Sequence, residues 1–383
     1  MSSRVVHVLD ATTPPDAVEI LAQVLPLAEH QLVTLGHRST LQLMRHAGIQ
    51  AEVTCLHSMG WADPTGWRGL RRLLEEHQPT HVHAWGIPAA MAATMARFKG
   101  KRIVTLADLP RSRHLQLLNF IHKGGLWASG RVGGGVSPCQ WIVTTSWLKR
   151  ELHSHSIAAD AVTLVRPALA VPAHCNGSVR AELGLAPEDG PILLLGGDGG
   201  GEAMLAGAGV DPLKQGGRGG PRHDLGMWAA GILQQMFPRV RVVVREDPRG
   251  RQNAGLERLL NHMADEEVTV LAPPEWPWAK LLGVADALLV TPDGPFAAGS
   301  ILHAFACRVP VVGTPVDSVR EHVTDRQTGL IAPSIRAREI AAVLEAYLSD
   351  GTLREKLSQQ AFQEAEAKHN AAALRQGYES AYA

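Results

Sequence analysis

Short apolar runs alternate with longer helical stretches from one end of this chain to the other, and that alternation constrains the fold more than any other feature. Candidate strands fall at Val5–Leu9, Leu32–Leu35, Glu52–Leu56, His81–Trp85, Ile103–Leu106, Trp141–Thr145 and Val162–Val165. A second series follows at Ile192–Leu195, Val240–Val244, Val268–Leu271, Ala287–Val290 and Val309–Val312. Helices are predicted between strands at Asp16–Ala28, Leu41–Ala47, Trp67–His77 and Pro88–Phe98. Strands that alternate with helices form parallel sheets covered on both faces. Two series therefore predict two doubly wound α/β domains. The boundary is expected in the Pro-rich, aperiodic Arg166–Ser178, after which Arg180–Leu185 reads as a short helix. Gly196–Gly220 is rich in Gly, Ala and Asp and reads as a loop. Ala361–Ala383 reads as an amphipathic helix.

Composition narrows the setting. A chain of 383 residues has length for about two domains, and 45% hydrophobic with 19% charged residues is ordinary for a chain that buries sizeable cores. Lys plus Arg equals Asp plus Glu at 37 each, so no charge imbalance points to nucleic acid. Cys55, Cys139, Cys175 and Cys307 form no CxxC pair and read as free thiols in a reducing compartment. No apolar run has the length of a membrane span. The opening MSSRVVHVLDATTPP lacks the apolar core of a signal peptide, so a cytoplasmic protein is expected.

The stretch Ala285–Leu330 is the richest in functional signal. Ala285–Thr291 is a buried strand broken by Pro292, Gly294 and Pro295; Ala298–Cys307 has helical spacing; Val309–Gly313 is a second strand. A helix N-terminus beside the carboxyl end of a parallel strand offers free N–H groups and a favourable dipole to a phosphate. One more βαβ unit of a large sheet would read the same way.

Four segments resemble, in order, the glycosyltransferase group 1 family: LRRLLEEHQPTHVHAWG at Leu70–Gly86, WIVTTSWLKRELHSHSI at Trp141–Ile157, RAELGLAPEDGPILLLGG with LGMWAAGILQQMFPRVRVVV, and Ala285–Leu330 itself. The resemblance covers nearly the whole chain. It implies a GT-B fold, with two doubly wound Rossmann-like domains whose parallel sheets face each other across a cleft. Residues 1–170 would be the acceptor-side domain, 171–362 the nucleotide-sugar domain, and 363–383 a C-terminal helix packing back on the first domain. The implied activity is transfer of a hexose, with retention, from a nucleotide-sugar donor to a carbohydrate or lipid-linked acceptor. No cofactor and no metal are implied.

Matched residue by residue, the resemblance places Gly196, Gly197, Arg218, Arg222, His223, Arg245, Trp276, Phe296, Ala297, Ala298 and Glu321 at the donor, Trp85 and Gly86 on the acceptor side, and Asp108, Asp293 and His303 at the chemistry. The family's paired glutamates, eight positions apart, fall at Pro295 and His303, and its His-Asp falls at Ala107 and Asp108. The phosphate-facing Arg and Lys fall near Arg218 and His223, with Lys214 and Arg222 close by. The Gly-Gly loop is Thr13-Pro14, while the Glu of the last helix start is kept as Glu321 and the Thr-Gly-Leu turn as Thr328, Gly329 and Leu330. Three readings stay open: an enzyme with altered donor recognition, a catalytically degenerate nucleotide-sugar-binding or scaffold protein, and a motif match shifted by a residue so that Asp293 is the carboxylate that reaches the sugar. A nucleotide-sugar epimerase of the same architecture ranks below all three.

Other constellations carry less. His81 and His83 share a strand face but have no third ligand at a metal-binding spacing. Trp85 reads equally as a cleft residue and as core. Arg111–Trp127 reads as a surface helix packed on the first domain, or as an interfacial helix giving peripheral contact with the inner membrane face. Gly130–Gly135 follows no clear strand and is not a dinucleotide fingerprint. Trp276 lies where the family edges the base, or packs a loop. No P-loop, HExxH or Ser-His-Asp order is present.

Overall fold

A computed structural model of the chain describes residues 4–36, 38–58, 62–107, 117–124, 138–168, 179–197, 222–245, 268–273, 276–294 and 299–383. Asp108, Lys214, Arg218, Pro295, Phe296, Ala297, Ala298, Gly130–Gly135 and most of Arg111–Trp127 lie outside these residues. The chain divides into two units, Met1–Ala168 with His369–Ala383, and Leu169–Lys368.

Unit 1 is built on a seven-stranded sheet of β1 (Arg4–Asp10), β2 (Glu29–Leu35), β3 (Val53–Leu56), β4 (His81–Trp85), β5 (Lys101–Leu106), β6 (Gln140–Val143) and β7 (Val162–Leu164). Unit 2 is built on six strands: β8 (Ile192–Leu195), β9 (Arg241–Arg245), β10 (Thr269–Ala272), β11 (Ala287–Val290), β12 (Val311–Gly313) and β13 (Gly329–Ile331). The orders are β3-β2-β1-β4-β5-β6-β7 and β10-β9-β8-β11-β12-β13, and the strands pair in parallel throughout. In each sheet the order reverses once, between β1 and β4 and between β8 and β11. Ligands of doubly wound sheets bind outside the carboxyl ends of the strands at that reversal.

Burial explains why these strands carry no polar alternation. Helices cover both faces, so β8 (ILLL) and β11 (ALLV) are buried at every position. In unit 1, Val6, Val8, Val82, Ala84 and Val104 join one core layer, and Val5, Leu9, Trp85 and Ile103 the other. The period-2 alternation of side chains sorts them.

Four local expectations change. The Thr328–Leu330 turn contains a strand: Gly329 pairs with Val311. A Cβ on Gly329 would lie 2.5 Å from the Val311 carbonyl oxygen, so glycine permits this close approach. The second strand of the Ala285–Leu330 stretch runs Val311–Gly313 rather than starting at Val309. The first helix runs Pro15–Val24 and tightens into a 3-10 turn at Leu25–Leu27, where Pro26 offers no N–H. Ala361–Ala383 is two helices rather than one. Gly351–Lys368 belongs to unit 2, and Ala371–Tyr382 belongs to unit 1. Asn370 separates them, its side chain accepting from the Ala373 N–H at 2.7 Å as an N-cap. The segment that joins unit 1 therefore starts at His369 rather than at 363.

The helix Ala371–Tyr382 seats on a buried histidine cluster. His83 hydrogen-bonds the Tyr382 hydroxyl through Nδ1 and the Thr105 hydroxyl through Nε2, each at 2.8 Å. Tyr378 meets the same Thr105 hydroxyl at 3.2 Å. The Trp85 indole donates to His7 Nδ1 at 2.9 Å, and His7 Nε2 lies 2.6 Å from His30 Nδ1. Trp85 is fully buried, stacked on His83 with ring centroids 4.4 Å apart. Its side chain is core, which corrects the acceptor-side expectation. Close packing also appears at Gly377, where a Cβ would meet the Val165 methyls at 2.7 and 2.8 Å. Val165 is a stiff, buried β-branched residue. Gly377→Val is expected to cost about 1–3 kcal/mol through overpacking, despite the better helix propensity. A denaturant titration checks this, and an unchanged midpoint would refute the tight seat.

Candidate donor site at the sheet reversal of unit 2

At the reversal, β8 ends at Leu195 and β11 ends at Val290. The chain after β11, Thr291–Gly294, leads toward the helix Gly299–Ala306, and three neighbouring elements hold it. From the start of the helix His223–Leu233, the Arg222 N–H donates to the Thr291 carbonyl at 3.1 Å, and the Thr291 hydroxyl donates to the Arg222 carbonyl at 2.7 Å. From the end of β12, the Thr314 hydroxyl donates to the Pro292 carbonyl at 2.5 Å. From the helix Asp317–Arg320, the Ser318 hydroxyl donates to the Gly294 carbonyl at 3.3 Å. A loop whose carbonyls are so matched is pre-organised.

Charge is arranged on the same frame. Arg222 makes a two-pronged bond to Asp224, at 2.8 and 2.7 Å, and its Nη1 donates to Asp293 at 3.1 Å. The hydrogen bonds that the guanidinium donates to Asp224 above all, and the one it donates to Asp293, raise its pKa further above its ordinary value. The two expected site residues Arg222 and Asp293 are thus brought together as an ion pair. Arg222 is a positioning cation shared with two carboxylates, and Asp293 is held by it.

On the opposite side, the Gly196 N–H donates to the Leu289 carbonyl at 2.8 Å. A Cβ at Gly196 would lie 3.0 Å from Val290 Cγ2 and 3.1 Å from Ser300 Oγ. The next residue, Gly197, takes φ +93, a left-handed conformation that favours glycine. Sequence reasoning put both glycines at the donor. It did not single out Thr291, Thr314 or Ser318, since an isolated hydroxyl in an apolar or loop segment carries no pattern.

The remaining expected residues lie around this frame. His223 is the first residue of its helix and is buried. His303 is half-buried on the helix Gly299–Ala306, one turn after Ser300. Arg245 ends β9; its Nη1 donates to the Trp276 carbonyl at 3.3 Å, and its guanidinium lies 4.2 Å over the Trp278 ring. Arg245 and Trp276 are therefore in contact, with the Lys280 ammonium 3.4 Å over the Trp276 ring. Glu321 stands just past the last turn of the helix Asp317–Arg320, whose Ser318 reaches the loop. In unit 1, Gly86 caps the helix Ile87–Met95 with φ +103, and its N–H donates to the Thr105 carbonyl at 3.0 Å. Among the described residues, no group of three or more His, Cys, Asp or Glu is placed to hold a metal ion, and no helix is long and apolar enough to cross a membrane.

Two Rossmann-like units of parallel sheet define the GT-B class, and solved GT-B structures superpose on the chain. Anabaena HepE in complex with UDP-glucose matches with a TM-score of 0.76 at 14% identity, covering 98% of each chain. A glycosyltransferase from Rickettsia africae matches at 0.72 and 12%, covering 100% of this chain and 98% of the other. Sucrose-phosphate synthase from Thermosynechococcus elongatus matches at 0.69 and 14%, covering 99% and 98%. Residues 232–364, within unit 2, match the family described as Glycosyl transferases group 1. D-inositol 3-phosphate glycosyltransferase from Jonesia denitrificans is 26% identical over 320 residues, which is 79% of this chain and 65% of the relative's length.

Proposed function

We propose that this protein is a glycosyltransferase that moves a hexose, with retention, from a nucleotide-sugar donor to a glycan, lipid-linked or small-molecule hydroxyl. The observation that carries the reading is the donor frame of unit 2: a loop held by Arg222, Thr314 and Ser318, followed by a helix whose first turn meets Gly196 at the end of β8. Departure of a nucleoside diphosphate builds negative charge, which helix N–H groups and an oriented guanidinium stabilise. The family match falls on this unit, and HepE has been crystallised with UDP-glucose. In this reading the nucleotide sugar is a substrate, no resident cofactor is needed, and the setting is cytoplasmic, with any membrane contact peripheral.

Isothermal titration with UDP, GDP and ADP tests the reading. Binding of one of them below millimolar concentration is expected, and no detectable binding of any at millimolar concentration would sink it. The second reading, a non-catalytic nucleotide-sugar-binding partner, draws on His303 and Pro295 standing where the family's paired glutamates fall. Slow release of free sugar from a donor panel favours the enzyme; tight nucleotide binding with no release favours the partner.

A further inference from the structure

The last helix, Ala371–Tyr382, rests on a seat whose nitrogens have no room for another proton. The Trp85 indole N–H donates to His7 Nδ1 at 2.9 Å, and the Ala28 main-chain N–H donates to His30 Nε2 at 3.1 Å. Indole and amide N–H groups only donate, so both ring nitrogens are acceptors. The single proton of each neutral ring is then on its other nitrogen, and these two, His7 Nε2 and His30 Nδ1, face each other 2.6 Å apart. A further proton on either ring meets an N–H that cannot accept it, so one of these contacts must break.

The helix is joined to this pair through its aromatic rings. Tyr382 meets His7 and His30 edge-to-face, with ring centroids 6.4 and 6.3 Å apart, and its hydroxyl meets His83 Nδ1 at 2.8 Å. Tyr378 stacks on Trp85 at 6.2 Å. Burial holds the pKa values of His7, His30, His81 and His83 below the ordinary value; neighbouring rings add to this for His7 and His83, and Lys101 for His81. The other titratable side chains on the elements packed here are Asp16 and Glu19, half-buried on the helix Pro15–Val24, Glu29, exposed at the start of β2, and Arg375 and Glu379, exposed on the last helix itself. Once the helix leaves, the rings regain water and their ordinary proton affinity, so acid favours the undocked state. A helix of 12 residues has little stability of its own in water and melts when released. The Trp85 carbonyl accepts from the Thr13 hydroxyl at 3.1 Å, so the seat adjoins the sheet reversal of unit 1.

We propose that the helix Ala371–Tyr382 is a proton-released latch: His7 and His30 sense the proton, His83 and the two tyrosines form the catch, and proton uptake undocks the helix while the sheet of unit 1 stays formed. The latch is independent of the donor site in unit 2. Below pH 6.5, each ring that titrates on release weakens docking by up to about tenfold per pH unit.

Hydrogen exchange read by mass spectrometry on the full chain between pH 7.5 and pH 4.5, with rates divided by the intrinsic rate at each pH, tests this. Protection of Leu374–Tyr382 is expected to fall below pH 6.5 by about tenfold or more per pH unit, while β1 and β4 stay at least about tenfold better protected than the helix. In His30→Gln the fall should be shallower by up to about tenfold per pH unit, because one of the titrating rings is gone. Constant protection of the helix across the range overturns the latch. Loss in step with β1 and β4 overturns it as well, since the helix then opens only with the whole unit. A fall in His30→Gln as steep as in wild type overturns the assignment of the sensor to the His7–His30 pair.

Discussion

Arg222→Met is expected to weaken nucleoside diphosphate binding tenfold to a hundredfold while leaving unit 2 folded. The guanidinium faces two carboxylates, Asp224 and Asp293, and its removal leaves both negative beside the proposed phosphate site. Repulsion between unit charges several ångströms apart in a partly solvated site is about 1–2 kcal/mol each, enough for that loss. The fold should survive because the main-chain pairing of Arg222 with Thr291 does not involve the side chain. Asp293→Asn should act with the opposite sign. It removes one repelling charge and releases one prong of Arg222, so diphosphate affinity should hold or rise by a factor of a few. Titration with UDP at low and high salt checks both, since screening should shrink the Arg222→Met defect. Wild-type affinity in Arg222→Met would remove this residue from the donor frame.

The second large effect is acid lability of unit 1. Burial lowers the pKa of His7 and His83 well below the ordinary value, with neighbouring histidines adding to the shift. Burial takes His30 down to about 4, and it lowers His81, with Lys101 as a further cause. The geometry agrees for His7. An indole N–H only donates, so Trp85 makes His7 Nδ1 an acceptor, and a second proton there would face the indole N–H. Histidines held neutral in the fold take up protons more readily when unfolded. Stability is therefore fully present above the unfolded value of 6.5 and falls as pH drops from there toward about 4 and below. Each such histidine contributes a slope of up to about 1.4 kcal/mol per pH unit. Denaturant midpoints followed by tryptophan fluorescence between pH 8 and pH 4 should fall continuously below 6.5. His83→Phe, which removes a titrating group but also two hydrogen bonds, should start less stable at pH 8 and lose less on acidification. A flat profile between 6.5 and 4.5 would refute neutral burial of the cluster.

Much of the frame was legible in the residues. The glycine-rich stretch from Gly196 announced a loop after β8, and Pro292, Gly294 and Pro295 announced a loop between strand and helix. These signals are local, because backbone freedom and periodicity belong to single residues and short windows. The charge arrangement was not legible. Arg222 and Asp293 are 71 residues apart, and either alone reads as a free site group. Trp85 stayed ambiguous because an aromatic at a strand end serves a cleft or a core equally well. The helix that buries its neighbour His83 comes 299 residues later, with Tyr382. The strand at Gly329–Ile331 was missed because three residues carry no period, and its edge pairing depends on a close approach that only packing creates.

The sequence alone determined two parallel α/β units and the order of the segments that resemble group 1 glycosyltransferases. Strand and helix periods arise from local sterics and survive in any context. Only the tertiary structure decided which carboxylates Arg222 serves, that Ser300 lies buried against Gly196, and that the histidines of unit 1 form a seat for the last helix. Those outcomes depend on which distant groups packing brings within hydrogen-bond range and removes from water, and no local pattern encodes that.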